Sequence, residues 1–327
     1  MTMLNAGEFK RQAMSTSDGQ SDSVAPQESH VRPLVRADLR KRHRWLNAVS
    51  AWMLLAPALV VTVVFFAWPI AYIARMSLNE KIDQRFFVPD LTLQNYADLI
   101  TNPTFTTALW TTIKLSIAVS LFTVTLGYIF SLLAWLKPRR WRLAFISLAL
   151  CPLLISEIAS IFGWWLFFPR NGLLSFALVQ SGLVTDKVGL LYTEFAAFVG
   201  LVYLIVPYTF FIFLSVLDGI DKKLLEASAD LGASPLRTFY EVLLPLTKGG
   251  ITASFAQSLI WTIGTYATPS ALGPNTLWTI GYIIQEQMMA KHNWPKAAAF
   301  SMVLIVGVAV VVGLVNATGS KRTSPHV

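Results

Sequence analysis

Charged residues and cysteine are scarce in this sequence, and each scarcity excludes something. Only 13% of the 327 residues are Asp, Glu, Lys or Arg, against 54% apolar. That is too little polar surface for a water-soluble globule and puts the chain in the membrane class. The single cysteine, Cys151, lies within an apolar run, so no intrachain disulfide can form and the thiol reads as a small packed hydrophobe. No Gly-x-x-x-x-Gly-Lys-Ser/Thr loop is present, and Gly319-Ser320-Lys321 lacks the glycine spacing, so the chain cannot supply an ATPase of its own. His-Glu-x-x-His is absent, and no Ser, His and carboxylate sit in a nucleophile context, which argues against a membrane enzyme. His292 has no ligand-spaced companion, so neither a metal site nor a cofactor is expected.

What is abundant is positive charge, +8 net, and its placement matters more than its size. The basic residues gather at the ends of apolar runs, where they orient a chain in a bilayer; nucleic-acid binding is not expected. Residues 1–44 are polar and end in Arg36, Arg40, Lys41, Arg42 and Arg44, which reads as a disordered tail. The apolar run that follows starts late and is long enough to span, so it reads as an anchor that stays rather than a signal peptide. Six segments, near 46–74, 110–136, 143–168, 195–217, 250–272 and 297–317, meet the length for a membrane helix. Lys and Arg counted on alternate sides give eighteen of twenty-six to the side holding the tail, the Lys137–Arg142 turn, the Lys222–Lys248 loop and the end at Lys321 and Arg322. Seven fall on the other side, and Lys114 lies close enough to that surface to snorkel. The expectation is an all-α, multi-pass protein with both termini cytoplasmic, a membrane domain over 45–318 and a short end at 319–327.

Several spans carry breakers: Pro57, Pro69, Pro152, Pro207, Gly264 and Pro269. Each proline frees a carbonyl that lipid would leave unsatisfied, so neighbouring helices or a wet path must cover it. The fifth span is the most polar, with Ser254, Gln257, Ser258, Thr262, Gly264, Thr265, Thr268 and Ser270. It either packs closely through small residues or lines a path. No internal repeat of the kind found in many secondary transporters is evident.

The polar segment 218–248 has a local design of its own. Lys222 to Leu231 reads as a short helix, Gly232 as the positive-φ residue past its end, and Ser234-Pro235 as an N-cap with proline at the first helical position. Along the second helix Leu236, Phe239, Tyr240, Leu243 and Leu244 form an apolar stripe that must be covered. Pro245 is expected to turn the chain into the fifth span. Helix, glycine, helix fits either an amphipathic pair on the bilayer surface or a docking element.

Glu226 and Ala227, then Gly232, then Val242, Leu244 and Pro245, match the pattern Glu-Ala-Ala, three residues, Gly, nine residues, Ile-x-Leu-Pro. This resembles the cytoplasmic signature loop of permease subunits in bacterial ABC importers. Ser228 replaces the second alanine and Val242 the isoleucine. Gly200 to Tyr203 with Pro207, Leu217 to Asp221, Asp230 to Ser234, and Gly281, Ile283, Ile284, Gln287 and Trp294-Pro295 are similar to the spermidine/putrescine-type branch over roughly residues 50–315. The chain departs from that branch at Ser160 and Pro274, which bears on cargo rather than architecture. The resemblance implies a six-helix permease of the bacterial inner membrane, partnered by an ATP-binding subunit, a second permease subunit and a periplasmic or extracellular solute-binding protein. It further implies that Glu226 is a polar contact to the ATPase, Leu231 and Leu236 apolar contacts, and Gly232 a hinge, with Ala227 and Pro245 completing the signature.

Glu157 is the one carboxylate deep in an expected span, so it should face the bundle interior, as a counter-ion for a cationic cargo or as a structural hydrogen-bonding group. Trp164, Trp165, Trp261, Tyr203, Tyr208 and Tyr266 offer aromatic faces to an ammonium group or serve as interfacial anchors. The outward segment Gln285–Trp294 suits a docking binding protein or an ordinary solvated loop. A stand-alone secondary carrier for a small organic cation is the competing function, and Glu157 alone could serve its coupling ion.

Overall fold

The computed structural model describes residue 53 and residues 55–82, 85–88 and 90–319. The tail expected over 1–44 and all but the first residue of the end at 319–327 lie outside the described residues. The chain divides after Ala67 into two units. Helix α1, Leu55–Met76, begins in the first and ends in the second. It carries a π-helical turn at Val63–Ala67 just ahead of Pro69, where the missing proline N–H would otherwise break the ladder.

From Trp68 onward the described residues are helical apart from one hairpin. Strands β1 (Glu80–Ile82) and β2 (Arg85–Val88) pair antiparallel, and α2 (Gln94–Thr101) follows. Asn95 clamps this region by donating to the carbonyls of Ser77 and Asn79 at 2.9 and 2.8 Å. Helix α3, Pro103–Leu136, starts earlier than hydropathy suggests. Asn102 accepts from Thr104 N–H at 2.9 Å and Pro103 occupies the first position, a start signal that the polar Thr104 to Thr107 stretch hides from an apolarity count.

Two expected spans are broken. The segment expected as one helix over 143–168 is α4 (Arg139–Leu154) and α5 (Glu157–Phe167), bent by 100°. Pro152 lies just ahead of the break and Ile155 is extended. The segment expected over 250–272 is α10 (Lys248–Gly264) and α11 (Ala267–Leu272), separated at Thr265 and Tyr266. Pro269 explains the position, since its ring excludes a helical carbonyl four residues back, at Thr265. Between them in sequence lie α6 (Leu173–Gln180), α7 (Glu194–Asp218), α8 (Lys223–Asp230) and α9 (Pro235–Thr238). Helix α12 (Ile280–Gln285), a π turn at Glu286–Ala290, and α13 (Trp294–Gly319) complete the chain. Among the described residues four unbroken helices are long and apolar enough to cross a membrane, α1, α3, α7 and α13 to Val315, and the bent pair α4–α5 makes up to five.

The centre is α3 against α7, with α10 closing the third side. Small residues set the spacing: a Cβ on Gly127 would stand 2.1 Å from Thr209 Oγ1. Thr209 donates to the Thr123 carbonyl at 3.0 Å, and Thr123 donates to Ser258 Oγ at 3.1 Å, so one hydroxyl chain ties all three helices. Ser254, Ser258 and Thr262 are buried on the face of α10 that carries this link. Their polarity is therefore close packing, as small-residue contacts between membrane helices require. Trp261, Gly264 and Tyr266 are exposed.

Candidate functional site

The loop between α7 and α10 is fastened at both ends. At its start Lys222 Nζ donates to the Trp135 carbonyl at 2.9 Å and lies 4.9 Å from the centre of the Trp135 ring, a cation–π contact on the end of α3. Arg142 on α4 pairs with Asp218 at the end of α7. Helix α8 then ends as its sequence foretells. Gly232, at φ +79°, donates to the Ala229 carbonyl at 2.8 Å and Ala233 to the Ser228 carbonyl at 3.1 Å, the paired bonds of a Schellman motif. Ser234 caps the next helix by accepting from Arg237 N–H at 3.3 Å, with Pro235 at its first position. Ser228, where the signature has alanine, bonds the Thr238 hydroxyl at 2.8 Å and ties α8 to α9. The replacement is thus absorbed by the loop itself.

The apolar stripe of the second helix is divided rather than uniformly covered. After Thr238 the chain widens into a π turn, Phe239–Leu243, followed by Leu244–Leu246. The extra residue offsets the side chains ahead of it from those behind. Leu243 is buried with Trp135, Phe210, Leu214 and Leu217, and Phe239 packs edge-on to Tyr128 at 5.9 Å. Leu231, Leu236 and Tyr240 are left 89%, 69% and 59% exposed. Glu226 and Ala227 are also exposed. The result is an open face, mixed apolar and acidic, on a backbone fixed to the core. The turn into α10 comes at Thr247 rather than at Pro245: Pro245 sits within the short Leu244–Leu246 helix, and Thr247 is the residue with non-helical backbone. Buried Thr247 bonds the Tyr128 hydroxyl at 3.2 Å, a contact 119 residues apart that no local signal announces.

The second group of candidates surrounds the bend in α4–α5. Glu157 is not in mid-helix; it is the first residue of α5, directly after the break, and half-buried. A carboxylate there meets the unpaired N–H groups and the positive end of the helix dipole. It also accepts from Thr268 Oγ1 on α11 at 2.7 Å. Two broken helices thus meet through one hydrogen bond, and Trp165 Nε1 adds a second by donating to the Ala271 carbonyl at 3.1 Å. The sequence marks Thr268 only as one polar residue of the fifth span, since nothing in the local pattern links it to a glutamate 111 residues away. Trp164 stacks on Phe168 at 4.8 Å and meets Tyr203 edge-on at 5.6 Å. Trp261 meets Tyr208 at 4.8 Å. Trp164 is therefore part of a packed aromatic cluster, whereas Trp261 and Tyr266 keep more than a third of their surface open. Of these candidates Glu157 reaches α11 at Thr268, whereas Trp164 and Trp261 both reach α7, at Tyr203 and Tyr208.

Comparison with known proteins agrees with this architecture. The chain is 26% identical over 260 residues to the spermidine/putrescine transport system permease protein PotB of Haemophilus influenzae, covering 77% of this chain and 91% of that protein. It is 30% identical over 211 residues to the sn-glycerol-3-phosphate transport system permease protein UgpA of an Escherichia coli strain, covering 63% and 68%. Its fold matches a chain of the crystal structure of a bacterial alginate ABC transporter in complex with an alginate pentasaccharide-bound periplasmic protein. The TM-score is 0.69, with 18% identity and coverage of 88% and 98%. Residues 40–322 match the family described as binding-protein-dependent transport system inner membrane component. That match takes in most of the chain, including the loop, the bend and the α3–α7–α10 centre, and the chain belongs to this family of inner-membrane transport components.

Proposed function

We propose that the chain is one permease subunit of an ATP-driven importer that carries polyamines, such as spermidine or putrescine, across the bacterial inner membrane. The observation that carries the reading is the open face at Leu231, Leu236, Tyr240 and Glu226, held on a loop whose other side is buried in the core. Exposed leucines on a rigid turn are costly in water unless a partner covers them. An ATP-binding subunit is that partner, with Leu231 and Leu236 as apolar contacts, Glu226 as a polar one, and Ala227, Gly232 and Pro245 shaping the surface. A second permease subunit completes the membrane portion, and a solute-binding protein delivers cargo on the other side, at the segment around Gln285 to Trp294.

In this reading the chain crosses the membrane six times, with α4–α5 and α10–α11 as interrupted crossings and both termini in the cytoplasm. The membrane domain covers 45–318, with 218–248 as its cytoplasmic loop, 1–44 a cytoplasmic tail and 319–327 a cytoplasmic end. Surrounding lipid faces the apolar exteriors of the helices, and no nucleic acid takes part. Glu157, two helical turns from Trp164 along α5, supplies negative charge on the path of a cationic cargo, and Trp261 and Tyr266 supply open aromatic faces. Polyamine cargo is supported by the PotB relative, 91% of whose length this chain matches, and the UgpA relative makes an organic phosphate the competing cargo. A secondary carrier is disfavoured by the same open face, which such a carrier has no partner to cover.

The test is reconstitution of the transporter in proteoliposomes with its ATPase and binding protein. ATP-dependent spermidine uptake is expected, with sn-glycerol 3-phosphate failing to compete. Leu231→Asp and Leu236→Asp, both at exposed positions, should abolish co-purification of the ATPase while leaving the chain folded. Uptake that persists without any ATPase would return the secondary-carrier reading.

A further inference from the structure

Beyond transport itself, we propose that α3, α4 and α7 form a binding site for an anionic phospholipid, its headgroup on the turn between α3 and α4 and an acyl chain in the cleft alongside. Two separate observations converge. The first is the charge of the turn. Lys137, Arg139, Arg140 and Arg142 fall within six residues, yet only Arg142 finds an acidic partner, Asp218. Lys137, Arg139 and Arg140 are exposed and have no ion pair or side-chain hydrogen bond among the described residues. Arg139 and Arg140 open α4, where the helix dipole is itself positive and adds to the repulsion. Exposed Trp141 stands among them, with its amphipathic ring suited to the headgroup level.

The second observation is a cleft of about 310 Å³ between the same helices, with walls that include Phe130 on α3, Phe145, Leu148 and Pro152 on α4, and Tyr203 and Phe210 on α7. The lining side chains are apolar apart from the Tyr203 hydroxyl. At 1.5 Å per residue, Phe145 lies about 9 Å and Pro152 about 20 Å along α4 from Arg139, and Phe130 about 10 Å along α3 from Lys137. The hydrocarbon of one leaflet is about 15 Å deep. The cleft therefore starts about 9 Å below the turn and reaches the depth of the bilayer centre, where the distal methylenes of a lipid anchored at the turn lie. A purely topological role for the basic residues, keeping the turn on one side of the membrane, accounts for the charge but not for the cleft. A helix from another subunit would fill the cleft but would leave the unpaired cations uncovered.

The experiment uses the full-length chain in mixed micelles at low salt, with native mass spectrometry to count bound dioleoylphosphatidylglycerol against dioleoylphosphatidylcholine. Preference for the glycerol lipid by at least about tenfold is expected, falling by up to about fivefold in each single variant Lys137→Gln, Arg139→Gln or Arg140→Gln and disappearing in the triple variant. Phosphatidylglycerol with a photoreactive group in mid-chain should label the wild-type protein between Phe145 and Pro152, a readout that depends on no variant folding. Equal binding of the two lipids, or an undiminished preference in the triple variant, overturns the proposal. So does labelling confined to other helices, full displacement by soluble glycerophosphate, or loss of the label when the second permease subunit assembles.

Discussion

Gly232 allows backbone strain and partner contact to be separated in one series of variants. Its φ is +79°, and a Cβ built there meets nothing within 4 Å. A side chain at this position therefore costs nothing in packing within the chain and is penalised only by the left-handed conformation, about 1–2 kcal/mol for an ordinary L-residue and less for Asn. That strain acts on the two bonds that close α8, Gly232 to Ala229 and Ala233 to Ser228. If the turn must be intact for the ATPase to seat, Gly232→Asn should retain most of the uptake and Gly232→Ala should lose roughly fivefold, the equivalent of about 1 kcal/mol. Gly232→Val should lose more than tenfold, since β-branching makes positive φ harder still. Gly232→Asp tolerates the backbone almost as Asn does, so any further loss in it measures charge at the docking surface. The assay is ATP-driven uptake in proteoliposomes, paired with recovery of the ATPase on the purified chain. A ranking by side-chain size, with Asn as damaging as Val, would refute the strain argument and put partner atoms against Gly232. Equal activity across the series would remove the turn from coupling altogether.

Other outcomes follow from the same geometry. Gly127→Ala forces a methyl to within 2.1 Å of Thr209 Oγ1 and should cost about 1–3 kcal/mol in detergent thermal unfolding, whereas Gly163→Ala, with open space around it, should not destabilise. Glu157→Gln keeps an acceptor for Thr268 and removes the charge, so it should preserve stability and depress uptake of a polyamine; Thr268→Val should do less to uptake than Glu157→Gln. An unchanged rate in Glu157→Gln would leave the carboxylate structural. Lys222→Met, which removes the bond to the Trp135 carbonyl and the contact with its ring, should raise hydrogen exchange in α8 and α9 without altering that of α7.

The parts legible in the sequence were those governed by neighbours along the chain. Gly232 announced a helix end and Ser234-Pro235 a helix start because caps are satisfied within four residues, and the long apolar runs announced α1, α3, α7 and α13. The breaks were harder. Pro152 and Pro269 were visible as breakers, but a proline can kink, widen or divide a helix, and the choice depends on what receives the freed backbone. The π turn at Phe239–Leu243 had no signature of its own, and it decided which residues of the stripe were buried. Contacts such as Thr123 with Ser258, Tyr128 with Thr247 and Glu157 with Thr268 join residues more than a hundred positions apart. Each hydroxyl was readable as a polar group in an apolar helix; its partner was not.

The fastening of the loop has a mechanical consequence. With Lys222 on Trp135, Ser228 on Thr238, and Phe239 and Leu243 wedged beside Tyr128 and Phe210, α8 and α9 have little freedom to swing on their own. They form a stiff handle rather than a tether. A load applied at Leu231 or Leu236 reaches the end of α3 through Trp135 and the flank of α7 through Phe210, and the hydroxyl chain from Thr123 passes it on to α10. Three helices would then tilt together, and the motion would arrive far from the handle at the pair of broken segments, α5 and α11, which Glu157 with Thr268 and Trp165 with Ala271 hold to each other.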